Sequence, residues 1–141
     1  MTRRPTGDDG NALVEFTYLA VLLMVPLIYV LLSVFQVQRA AFGVTEAARQ
    51  AGRAYATAED AAAGQARAGA AARLAMADQG LECGPCLESV GGSLAPDGRV
   101  TATVGHFVRL PLLGSLFSGE RGGIRVDASH VEVVDRFKDT G

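Results

Sequence analysis

From Phe16 to Phe35 the chain reads FTYLAVLLMVPLIYVLLSVF, without one charged side chain. No other feature restricts the fold as tightly. At the α-helical rise per residue this run covers about 30 Å, the thickness of a bilayer's hydrocarbon layer. In lipid every backbone polar group must be satisfied within the protein, so a single run of this kind is expected to cross as a helix. Pro26 sits inside it. There it removes one helix hydrogen bond, a defect that membrane helices tolerate better than soluble ones. A secretory signal peptide would have a shorter apolar region followed by a small-residue cleavage site. Here Gln36, Gln38 and Arg39 follow and helical spacing continues, so the span is expected to stay attached.

Orientation is not decided by arginines, since Arg3 and Arg4 precede the span while Arg39, Arg49 and Arg53 follow it. The cysteines favour one side. Cys83 and Cys86, three positions apart and the only two, suit an oxidising exterior in which they close a small loop. The expected topology is single-pass in the cell membrane, with the N-terminus cytoplasmic and the C-terminal part extracytoplasmic. Apolar residues make up 49% of the chain, but many are alanine or lie in the one run, leaving a thin core for the rest. A net charge of -2, 6% aromatics and no tryptophan argue against nucleic-acid binding.

The expected fold class is α+β: a long N-terminal transmembrane helix continuing outward, a second alanine-rich helix, and a small antiparallel β-sheet at the C-terminus. Residues 1–10, broken by Pro5, Gly7 and Gly10, read as a polar cytoplasmic leader. Residues 11–56 read as one helix, amphipathic at its outer end, with Phe42, Glu46, Ala47, Arg49 and Arg53 at helical spacing. A second helix is expected over 57–80, capped by Thr57, favoured by Glu59 and Asp60 in its first turn and stopped by Gly80, with Gly64 and Gly69 weakening its interior. Residues 81–141 read as a small extracytoplasmic β domain. Pro96-Asp97-Gly98 predicts a hairpin, with Val100, Ala102, Val104, His106 and Val108 on one face. Further on, Ile124, Val126 and Ala128 share one phase and Val131 and Val133 the other, which predicts a bulge near Ser129 and His130. The apolar stretch 110–117 reads as a cover for the sheet or a helix, or as a partner-binding patch.

Glu15 stands at the threshold of the span, five residues after Gly10. An acid in a first helical turn needs no partner, because exposed amides and interfacial water stabilise it. That account leaves unexplained the polar leader ending in glycine with an apolar run immediately behind the acid. The stretch Gly10, Asn11, Ala12, Leu13, Val14, Glu15, Phe16, then the apolar helix, then EAARQAGRAYA from Glu46 to Ala56, resembles the type IV pilin-like proteins. Within them it is similar to the TadE-like minor pseudopilins of tight-adherence (Flp-type) pilus systems. The resemblance covers roughly the first 56 residues. It implies that a membrane aspartyl prepilin peptidase cuts between Gly10 and Asn11 on the cytoplasmic face, and that Glu15 serves helix docking and assembly with other pilins or pseudopilins. The chain departs from the family's pattern in two respects: Asp8 and Asp9 stand where such leaders are usually basic, and Asn11 replaces a small or apolar first residue. The expectation is a non-enzymatic protein taking part in assembly of a pilus or related secretion apparatus. Its partners would be membrane lipid, the peptidase and other pilin-type helices, and no nucleic acid or small-molecule substrate.

Cys83-Gly84-Pro85-Cys86 spells a thioredoxin-type CxxC, so a membrane-tethered thiol-disulfide oxidoreductase is the alternative from another class. The pair follows an alanine-rich helix and precedes turn-rich strands, lacking the βαβ setting of that fold, and a structural disulfide is the simpler reading. A zinc site would need two more ligands, and only His106 and His130 are at hand, far off in sequence. His106 lies in phase with buried valines and reads as a packed histidine, His130 as an edge residue. No nucleophile elbow or phosphate-binding glycine loop occurs, so no metal, cofactor or catalytic residue is expected. A plain single-pass anchored surface protein is the remaining alternative.

Overall fold

The computed structural model describes residues 9–110 and 122–138. The expectations for the leader up to Asp8, and for the apolar stretch beyond Leu110, fall outside the described residues. In chain order the elements are α1 (Asp9–Ala56), α2 (Ala61–Asp78), β1 (Leu87–Gly92), β2 (Arg99–Arg109) and β3 (Gly123–Val133), the α+β layout expected. They divide into two compact units, Met1–Val34 and Phe35–Gly141.

The first unit is the apolar length of α1. None of residues 11–39 is buried, and side chains on every side of the helix are exposed, among them Phe16 at 73% and Leu23 at 71%. A helix apolar all round needs an apolar surrounding, and α1 is long and apolar enough to cross a membrane. The threonine and the serine of this length bond its own backbone: Thr17 Oγ1 donates to the Leu13 carbonyl and Ser33 Oγ to that of Tyr29, each at 2.8 Å.

In the second unit the outer length of α1 buries a stripe of Ala40, Val44, Ala47, Ala48, Ala51 and Tyr55, the spacing of one helix face. Phe42 is not part of it. It stands 72% exposed on the opposite side, where Arg49 and Arg53 are also exposed. α2 buries Gly64, Ala68, Ala72, Ala75 and Met76. Small side chains on both helices permit close approach, and a Cβ on Gly64 would come within 2.9 Å of the Tyr55 ring.

The start of α2 differs from the expectation. Asp60, with extended backbone, is the cap, its Oδ1 accepting from Ala63 N at 2.8 Å. Thr57 belongs to the end of α1, its hydroxyl donating to the Arg53 carbonyl at 3.0 Å. Because α1 stays helical to Ala56, the threonine hydroxyl meets the free carbonyl one turn back before any new helix can begin. The stop is where it was expected. Gly80 adopts φ +63, its N–H bonds Ala77 O at 2.7 Å and that of Leu81 bonds Met76 O at 3.0 Å, a Schellman ending.

The sheet has the order β1-β2-β3, both pairs antiparallel. β1 and β2 form the expected hairpin, with Asp97 at φ 58 in its turn, and Val100, Ala102 and Val104 of the central strand are fully buried. The bulge expected in β3 is absent. β3 pairs with β2 without a shift from Gly123 opposite Arg109 to Val133 opposite Arg99, and the irregularity lies in β1 between Leu87 and Ser89. A bulge would leave a residue unpaired in the ladder, whereas the unbroken register leaves Val131 and Val133 about half exposed and turns His130 and Glu132 inward as a bonded pair.

Candidate functional site

The residues singled out by the sequence fall in two places. Gly10 and Asn11 lie in the first turn of α1, which opens at Asp9, two positions before the expected boundary. That turn's leading amides have no helical carbonyl to bond, so it opens more cheaply than any later one. Glu15 is exposed one turn beyond Asn11, and none of the ion pairs among the described residues engages it. Side chains four apart on a helix share a face, with Cβ atoms about 5–6 Å from each other. Asn11 and Glu15 thus lie along one strip of α1.

Cys83 and Cys86 stand as a close pair joined through sulfur, their Cα atoms 5.2 Å apart, between the end of α2 and the start of β1. Cys86 is 5% exposed within the core, and its carbonyl accepts from Gly105 N at 2.9 Å, beside the β1 bulge. Catalytic CxxC pairs place the attacking sulfur at the start of a helix, where the dipole stabilises a thiolate. Here the pair comes after a helix has ended. The setting is that of a clamp on the α2–β1 connection.

His106 and His130 point to different surroundings. His130 faces the outer length of α1 across from Gly52, and its Nε2 lies 3.1 Å from Glu132 Oε2. The sequence reading had it exposed on an edge at a slipped phase; β3 is an edge strand, and its continuous register turns the side chain inward. His106 is half-buried beside a cleft described below. No group of three or more His, Cys, Asp or Glu side chains that could hold a metal occurs among the described residues.

Several contacts that organise the second unit had no sequence signal that we could read. Arg39 Nε donates to the Gln79 carbonyl, closing the end of α2. Lys138 Nζ donates to the carbonyls of Ala56 and Ala58, the first at 3.0 Å, at the end of α1. Arg125 of β3 pairs with Glu88 of β1 across the middle strand, where Gly105 leaves the room. A glycine inside the otherwise alternating strand 99–109 is the one visible hint of such a crossing. Comparison of the chain with protein-family models, with curated proteins and with solved structures finds no match.

Proposed function

We propose that the chain is a membrane-inserted pseudopilin of the TadE-like type, trimmed by a prepilin peptidase between Gly10 and Asn11. It takes part in assembling a tight-adherence pilus or a related secretion apparatus. The observation that carries this reading is the uncharged length of α1, unburied on every side, opening on an Asn11–Glu15 strip and running without interruption into a packed extramembrane unit. Glycine before the scissile bond lets the backbone extend into a protease cleft, and cutting there frees an ammonium on Asn11. A lone ionised carboxylate is costly at the edge of lipid, so Glu15 favours any arrangement that brings an amine to it, its own or that of a neighbouring pilin-type helix. The carboxylate then sets the register in which helices dock. In this reading the protein has no catalytic residue, its N-terminus begins on the cytoplasmic side, and the disulfide holds the outer unit.

Mass spectrometry of the mature N-terminus tests it. A form beginning at Asn11 in cells with an active processing peptidase is expected; retention of Met1 to Gly10 there overturns the proposal. The thiol-disulfide alternative is disfavoured by the place of the pair after the end of α2, where no helix start stabilises a Cys83 thiolate, and is tested separately by asking whether a Cys83→Ser, Cys86→Ser double variant keeps its role in the apparatus.

A further inference from the structure

A shallow cleft of about 600 Å³ in the second unit is lined by Gln36, Arg39, Gly80, Glu82, His106 and Arg109, among others. Gln36 directly follows Phe35, the last residue of the uncharged run, and Arg39 comes one turn later on the same helix. At the helical rise Arg39 lies about 6 Å past the end of that run, while a bilayer's headgroup layer is about 5–7 Å deep on each side. If the apolar run of α1 fills the hydrocarbon, the cleft opens at headgroup level. We propose that it binds the phosphate of an anionic membrane lipid, a site that rests on the spanning reading of α1 but not on pilus assembly. Two guanidiniums, Arg39 from α1 and Arg109 from the end of β2, are both exposed there, with Gln36 as a further donor and His106 at the wall. Arg39 commits its Nε to the Gln79 carbonyl, which fixes the guanidinium and leaves its terminal amino groups for a ligand. Glu82 is the one acid among these six, and it is exposed, so the cleft keeps a net positive charge. Another cleft, of about 540 Å³, contrasts with it: Arg53 and Lys138 are balanced there by Glu132 and Asp135. Arg53 also lies about 27 Å past the apolar run, beyond any headgroup.

The test uses the full chain in nanodiscs of equal parts zwitterionic and anionic phospholipid with matched acyl chains, reading by native mass spectrometry which lipid stays bound. Preferential retention of one anionic lipid is expected, reduced about fivefold by Arg39→Gln and again by Arg109→Gln, and unchanged by Arg53→Gln. Arg109→Gln touches no helix cap, so its effect stands even if Arg39→Gln loosens α2. Equal retention of both lipids, or a preference that survives the double variant, overturns the site, as does displacement of the lipid by millimolar glycerol phosphate, which would make it a site for soluble phosphate. A chain that floats with vesicles of neither composition overturns the spanning reading and the lipid site with it, whereas one that floats with both and shows no preference overturns the site alone.

Discussion

Asn11 and Glu15 share one face of α1, and in the proposed pilin-type reading the second is a charge that lipid tolerates only when it is met. Replacing Glu15 with Gln keeps the shape and removes the charge, so insertion should be unaffected while incorporation into the apparatus drops at least tenfold, as measured by co-purification with its partners. Unchanged incorporation would remove the docking role. In the second unit Lys138, half-buried, donates to the carbonyls of Ala56, the last residue of α1, and of Ala58 just beyond it. Lys138→Met should lower stability by about 1 kcal/mol, seen as a fall of several degrees in Tm. Gly64→Ala presents two opposed effects. Alanine is better than glycine in a helix by about 1 kcal/mol, but its methyl group would crowd the Tyr55 ring, itself only 3% exposed. Overpacking of a site that cannot yield costs about 1–3 kcal/mol, so the substitution is expected to lower Tm; a rise would show that Tyr55 has room to move.

At the scale of elements, the helices were legible because their apolar period runs over many residues, while their ends turned on which of several capable side chains caps. Thr57 and Asp60 both qualify by type; the length of α1 assigned Thr57 to the first helix and left Asp60 to open the second. Asp60→Ala should therefore cost about 1 kcal/mol of thermal stability and Thr57→Ala markedly less, a contrast that calorimetry of the two variants checks. The reverse order would return the cap to Thr57. The strand error has a similar origin. Apolar parity in β3 changes between Ala128 and Val131, and read alone it asks for a bulge. Pairing with β2 along the whole strand overrides it, because keeping every ladder bond outweighs the exposure of two valines.

The whole molecule comprises two units of different character: the described helix of the first is apolar all round, and Phe35–Gly141 is built on a core of small residues. A core built of alanine, a few valines, one tyrosine and one methionine has little area to bury, so cross-links matter to it. The Cys83→Ser, Cys86→Ser double variant is expected to lose about 2 kcal/mol of stability, as a loop this short implies, with far-ultraviolet circular dichroism of the native state unchanged; a native spectrum already altered would mean that the pair directs the fold as well as clamping it. By itself the sequence determined the long apolar helix, the order and kind of the elements, the hairpin and the closeness of the two cysteines, since each follows from composition or from spacing within a short window of chain. The tertiary structure alone decided the straight register of β3, the inward turn of His130, the cap at Asp60 and the meeting of Arg39 with Arg109. Those depend on which distant backbone groups and side chains compete for the same place, and no local pattern records that competition.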